Sequence, residues 1–241
     1  MQEENKMKTL NQTPYVPKVS FLADEDMLKL YQERIESYSE KARKSLDIFT
    51  FKDGVIKGSN SFANVELAST NLALPSEVLH DSESNSNFFR GNYEDLGLVL
   101  RTSTDYYHDY NARNLYEQLE HRGIKASDES PVLISLRGLK LKEDANSRYG
   151  LVHLLTDEAQ IIQASELSYL NHEKKFSKTE ERGIPIFKDE GERTFYAGKG
   201  GLDGFILYRY FDLNSGWDRS LSDSYADGRV AVVENFSTGN K

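Results

Sequence analysis

The C-terminal half of this 241-residue chain constrains its fold most. From Val132 onward the apolar residues come in short runs divided by polar and glycine-containing segments, a pattern that suits β-strands and leaves little length for helices. Tyr149 to Leu155 and Gln160 to Leu167 flank Thr156 to Ala159 as a predicted hairpin. Ile184 to Phe187 and Arg193 to Tyr196 form a second across Lys188 to Glu192, and Phe205 to Asp212 and Arg229 to Glu234 are the last two strands. Val132, Ile134 and Leu136 keep one parity, whereas Leu139 and Leu141 keep the other. Strand side chains alternate with period two, so the switch requires an extra residue and predicts a β-bulge at Gly138. The charged stretch from Asn171 to Gly183 reads as a long excursion.

The N-terminal half carries the helical signals. Leu28, Tyr31, Ile35, Tyr38 and Ala42 recur at spacings of three and four, which predicts a helix from Asp24 to about Lys44. Acidic residues at its start and Lys41, Arg43 and Lys44 at its end suit the helix dipole. Asp53-Gly54 predicts a tight hairpin turn between flanking strands. Phe62 to Leu67 reads as a strand, and the polar run from His80 to Asn87 as a loop. A strand over Asp95 to Arg101 precedes a helix from Asp109 to Arg122 with Ala112, Leu115 and Leu119 on one face and Gly123 as its C-cap. Because Val132 begins a further apolar run, a β-α-β unit with a parallel strand pair is expected.

These readings give an α+β class: a strand-rich, mostly antiparallel C-terminal half, sandwich or partial barrel, with two principal helices in the N-terminal half. Residues 1–19, with Pro14 and Pro17, are expected to be a flexible segment, and residues 20–241 a single domain with a subdivision near 80–90.

Composition excludes several functional classes. Thirty basic against 39 acidic residues give a net charge of −9, which repels phosphate backbones where no basic cluster stands out, so no nucleic-acid partner is expected. Without cysteine there is no disulfide, thiolate metal site or thiol nucleophile. No stretch resembles a signal peptide or a membrane span, so the expected location is cytoplasmic with no membrane partner.

The most suggestive segment holds Asp212, Asn214, Trp217, Asp218, Ser222, Asp223, Tyr225 and Asp227. Its oxygens suit a hard cation such as Ca²⁺, although their order does not match an EF-hand loop, and all are also ordinary turn residues. Trp217, the chain's one tryptophan, offers a large anchor for a ligand. A second cluster, Asp105, Tyr106, Tyr107, His108, Asp109 and Tyr110, follows a strand end, and His108 between carboxylates is a candidate general base. The five histidines show no spacing suited to zinc. Gly198-Lys199-Gly200-Gly201 lacks the remainder of a phosphate-binding loop and reads as a hairpin connection, and no serine occupies a nucleophile elbow.

With no motif that names a reaction, the reading is a non-catalytic binding or assembly protein that uses long C-terminal loops on a β-scaffold to contact a protein, small molecule or glycan. The alternative is a metal-assisted or carboxylate-dependent hydrolase. A pocket shared by Asp105, His108 or Asp109 with Asp212, Asp218 or Asp223 would favour the hydrolase.

Overall fold

The computed structural model describes residues 18–208, 211–216 and 220–233. In chain order its first elements are β1 (Val19–Phe21), α1 (Glu25–Ile35), α2 (Glu40–Leu46), β2 (Thr50–Lys52), β3 (Val55–Lys57), α3 (Ser61–Ala68), α4 (Pro75–Ser84), α5 (Ser86–Phe89), β4 (Glu94–Leu100) and α6 (Asp109–Glu120). Strands β5 (Val132–Ser135), β6 (Leu139–Glu143), β7 (Leu151–Leu155), β8 (Ile161–Gln163), β9 (Lys175–Thr179), β10 (Pro185–Phe187), β11 (Arg193–Ala197), β12 (Leu202–Tyr208), β13 (Asp212–Ser215) and β14 (Ala231–Val233) follow. The fold is α+β, with its α-helices in the N-terminal half and mostly antiparallel strands. No helix among the described residues is long and apolar enough to cross a membrane.

Eight strands build one curled, half-barrel sheet in the order β10-β9-β11-β13-β12-β4-β5-β8. Both faces are covered, and this is why β4 and β5 carry continuous apolar runs, Leu98 to Leu100 and Val132 to Ile134, rather than an alternating pattern. Leu98, Leu100, Val132 and Ile134 pack on one face with residues of α1, α2, α3 and α6. Leu96, Val99, Leu133 and Phe205 pack on the other with Val78 and Leu79 of α4 and Phe89 of α5. Leu96 and Val99 share a face despite opposite parity because β4 is bulged. Asp95 pairs with Ile206 and Gly97 with Phe205, so Leu96 is the extra residue.

Several local expectations are corrected. The helix expected over Asp24 to Lys44 is two, α1 and α2, because the Ser37 hydroxyl takes the Arg34 carbonyl and Ser39 caps a new helix by accepting from the Ala42 N–H. Both pieces still bury the expected face at Leu28, Tyr31, Ile35 and Ala42. Phe62 to Leu67 is helix α3, not a strand. It is buried on nearly every side, which erases the helical period, and Asn60 caps it through its side-chain oxygen at 2.7 Å from the Ala63 nitrogen. His80 to Asn87 lies in α4 and α5 rather than a loop. Pro75 opens α4, and Glu77 accepts the Leu74 N–H at 2.7 Å.

Strands β4 and β5 are antiparallel, not parallel, because residues 123–131 run back from the end of α6 and return Val132 to the side of Leu100. Gly138 is not a bulge but a corner between β5 and β6, which belong to different sheets. Its φ is +80°, and a Cβ there would lie 2.8 Å from the Glu158 carbonyl carbon. Thr156 to Ala159 likewise joins two sheets, since β7 pairs with β6 and β8 with β5. The charged excursion contains β9, which lies between β10 and β11 and separates the two strands expected to form a hairpin. The run from Phe205 to Asp212 is broken into β12 and β13, an antiparallel pair, with Phe211 at φ +70°. The Asp53-Gly54 hairpin is as expected, both residues having positive φ. Residues 1–17 lie outside the described part.

On one face of the core, His153 is buried, stacked on Phe62 with ring centroids 4.5 Å apart, and its Nε2 lies 3.3 Å from the Ser61 carbonyl. Its Nδ1 has no partner, so burial favours the neutral ring and pushes its pKa down to about 4. The unfolded chain, titrating near 6.5, therefore binds more protons between these values, and this group lowers stability as pH falls from 6.5 to 4, by about 3 kcal/mol in total. Glu94, buried with both carboxylate oxygens unpartnered, has its pKa raised by burial and acts with opposite sign. A difference between two proteins that both carry Glu94 isolates the histidine. The expected result is that urea denaturation of His153→Gln improves relative to the parent by about 2 to 3 kcal/mol on moving from pH 7 to pH 4.5; an unchanged difference would mean that His153 is not buried neutral.

Candidate functional site

Three strands of the main sheet, β4, β11 and β13, run in the same direction and end at the edge where β12, which lies between β13 and β4, begins. Since β13 lies between β11 and β12, the link of residues 198–201 must step across the end of β13. It is a crossover, not the hairpin connection expected from sequence. The crossing explains its glycines. A Cβ on Gly198 would lie 2.2 Å from the Gly216 carbonyl oxygen, and one on Gly201 would lie 2.0 Å from the Thr104 carbonyl oxygen, so backbones touch where side chains would stand.

Arg101, directly after β4, locks this end of the sheet. Its side chain is 0% exposed. One guanidinium nitrogen donates to Asp203 Oδ2 at 2.6 Å and to the Gly200 carbonyl at 3.3 Å. The other donates to the Ser215 carbonyl at 2.8 Å, the Ser215 hydroxyl at 2.9 Å and the Leu167 carbonyl at 3.3 Å. Burial lowers its pKa, and the Asp203 carboxylate opposes that shift. Asp105 supplies a second tie. Its Oδ1 accepts from the Tyr107 and His108 N–H groups at 2.7 and 2.6 Å, and its Oδ2 accepts from the Leu202 N–H at 3.1 Å, joining the start of α6 to the start of β12.

Between these tied segments lies a cleft of about 800 Å³, within the range of small-molecule sites. Its walls are residues 104–108, Arg148, the 199–203 segment and Gly216, Ser220 and Asp223. At the lip, Tyr106 is 90% and Tyr107 54% exposed, with the rings edge to face at 4.7 Å. His108 is buried in the wall with its Nδ1 2.7 Å from the Tyr149 hydroxyl. That hydroxyl accepts from Ser220 Oγ at 3.2 Å and the Leu221 N–H at 3.3 Å, which leaves its proton for His108 Nδ1 and puts the ring proton on Nε2. Burial raises the Tyr149 phenol pKa.

No family model, curated protein or solved structure matches this chain. Its site is therefore read from its own residues. The two clusters singled out in the sequence do meet, since Asp105, Tyr106, Tyr107 and His108 share the cleft with Asp223. Of the other expected residues, those that are described do not line it. Asp212 and Asn214 belong to β13, where Asp212 Oδ1 accepts from the Thr194 N–H at 2.6 Å and Asn214 Oδ1 accepts from the Gly216 N–H at 3.1 Å. Tyr225 lies beside Tyr93, with its N–H donating to the Tyr93 hydroxyl at 2.8 Å, and the Asp227 carbonyl accepts from the Tyr93 N–H. Trp217 and Asp218 lie outside the described residues. Among the described residues no group of three or more His, Asp or Glu is placed to hold a metal ion.

Sequence reasoning missed Arg101, Arg148, Tyr149 and Asp203. Only Arg101 carried a signal, a charge that continues the apolar run Leu96 to Leu100 without a turn residue between them. The backbone contact at Gly201 leaves no room for a methyl group. Gly201→Ala should therefore lower stability by about 1 to 3 kcal/mol in chemical denaturation. Full retention of stability would show that the crossing does not bring these backbones together.

Proposed function

We propose that this protein binds a small molecule in the cleft at the end of its main sheet, as a binding protein on a β-scaffold. The observation that carries this reading is the fate of the cleft's polar groups. Asp105 is consumed by three N–H donors and Asp203 by Arg101, so the carboxylates best placed for chemistry are engaged in holding the walls. Aromatic and cationic side chains face solvent instead. Rigid walls with unengaged side chains suit binding, because little ordering remains when a ligand enters.

A hydrolase is the second reading, favoured by His108 and Asp105 sharing the cleft with Asp223 and by the Ser220, Tyr149 and His108 hydrogen-bond chain. Two of its three bases are engaged elsewhere, His108 Nδ1 by Tyr149 and both Asp105 oxygens by backbone N–H groups, and the Ser220 hydroxyl is bonded to Tyr149 and Ser222 rather than to Asp223.

The test is a thermal-shift screen of a chemically diverse small-molecule library against the parent and Thr104→Trp, an exposed lip position where a large ring fills the mouth without disturbing the core. A ligand present at 100 times its Kd adds about 2.7 kcal/mol of stability, several degrees in Tm. Compounds should shift the parent and not the variant. A screen with no shift, or with shifts equal in both proteins, would contradict binding in this cleft.

A further inference from the structure

The hydrogen-bonding balance of the cleft narrows the ligand class, an inference that rests on the binding reading above. Lys199 and Arg148 both line the cleft, both are exposed, and among the described residues neither has a carboxylate within ion-pair distance. They are nevertheless held in place. Lys199 stands on the crossover pinned by its neighbouring glycines, with its ammonium 4.7 Å from the centroid of the Tyr169 ring. Arg148 donates to the Tyr107 carbonyl at 3.2 Å, and its guanidinium lies 5.5 Å from the Tyr149 ring centroid. Each contact leaves most of the cation's N–H donors unused.

The acceptors inside the cleft are already taken. Both Asp105 oxygens and Asp203 Oδ2 serve N–H groups and Arg101, and among the described residues Asp223 is the one lining carboxylate that remains solvated without a cation. The walls thus present two oriented cations and few open acceptors, beside the exposed rings of Tyr106 and Tyr107. We infer that the cleft takes a small molecule carrying an oxyanion, phosphate or carboxylate, on a flat ring. The oxyanion lies against Lys199 and Arg148, with charge-assisted hydrogen bonds, and the ring lies on the tyrosines. A chain of net charge −9 repels anions generally, so this preference is local to the cleft.

Two matched pairs of probes test the inference: adenosine monophosphate with adenosine, and benzoate with benzamide. Each pair shares a ring and differs in the anion, and the two pairs separate phosphate from carboxylate. Titration calorimetry at low salt is expected to show the charged member of at least one pair binding about tenfold or more tightly than its neutral partner. That preference should fall at least about fivefold in Lys199→Gln or Arg148→Gln, whose exposed side chains can be replaced without loss of Tm. Three results would overturn the inference: equal binding of neutral and charged members, no binding of any probe at millimolar concentration, or a preference that survives both substitutions. Binding of the neutral members alone would leave the cleft a ligand site and remove only its choice of an anion.

Discussion

The buried guanidinium of Arg101 is the interaction on which this end of the molecule depends. A charge removed from water costs several kcal/mol, and only a nearly complete set of partners offsets it. Those partners come from three separate segments: the Leu167 carbonyl, the Gly200 carbonyl with Asp203, and both oxygens of Ser215. Each partner must stay within hydrogen-bond reach, so the strand ends and the crossover are fixed relative to one another. The close approaches at Gly198 and Gly201 follow, because the crossover can reach Arg101 only by passing directly over β13 and against Thr104.

The cleft is a consequence of that arrangement. Once the crossover is tied to β4 through Arg101, and the start of α6 to β12 through Asp105, a space remains between the two ties that no side chain of the described residues fills. The residues committed to the ties lose their chemistry to structure, while Lys199, Arg148, Tyr106 and Tyr107 keep theirs. A binding reading therefore fits the division of labour better than catalysis by the carboxylates, which were the more conspicuous residues in the sequence.

What could be read from the sequence followed from local physics. The apolar stripe of Leu28, Tyr31, Ile35 and Ala42, the Asp53-Gly54 turn and the left-handed Gly123 that closes α6 depend on neighbours in the chain, and all are present. Readings failed where burial hides periodicity. Helix α3 is apolar on nearly every side and looks like a strand. The pairing of β9 between β10 and β11 depends on contacts across the sheet that no spacing encodes. The site was half legible: the Asp105 to His108 cluster and Asp223 were singled out for their residue types, but the crossover glycines read as a turn because the strand they cross is later in the sequence. Arg101 was hidden for a related reason. Its acceptors are mainly backbone carbonyls, which leave no trace in residue identity.

The central claim is that the Arg101 and Asp203 charges depend on each other in the interior and together hold the cleft. A double-mutant cycle with Arg101→Met, Asp203→Asn and the double variant, followed by urea denaturation, measures that dependence directly. Each single change leaves an uncompensated charge, and the account predicts a loss of about 3 to 5 kcal/mol for each. The double variant should then be more stable than the sum of the two losses implies, by about 2 kcal/mol or more. Losses that add to within about 0.5 kcal/mol would contradict the account, because two groups bonded at the root of the cleft cannot be removed independently.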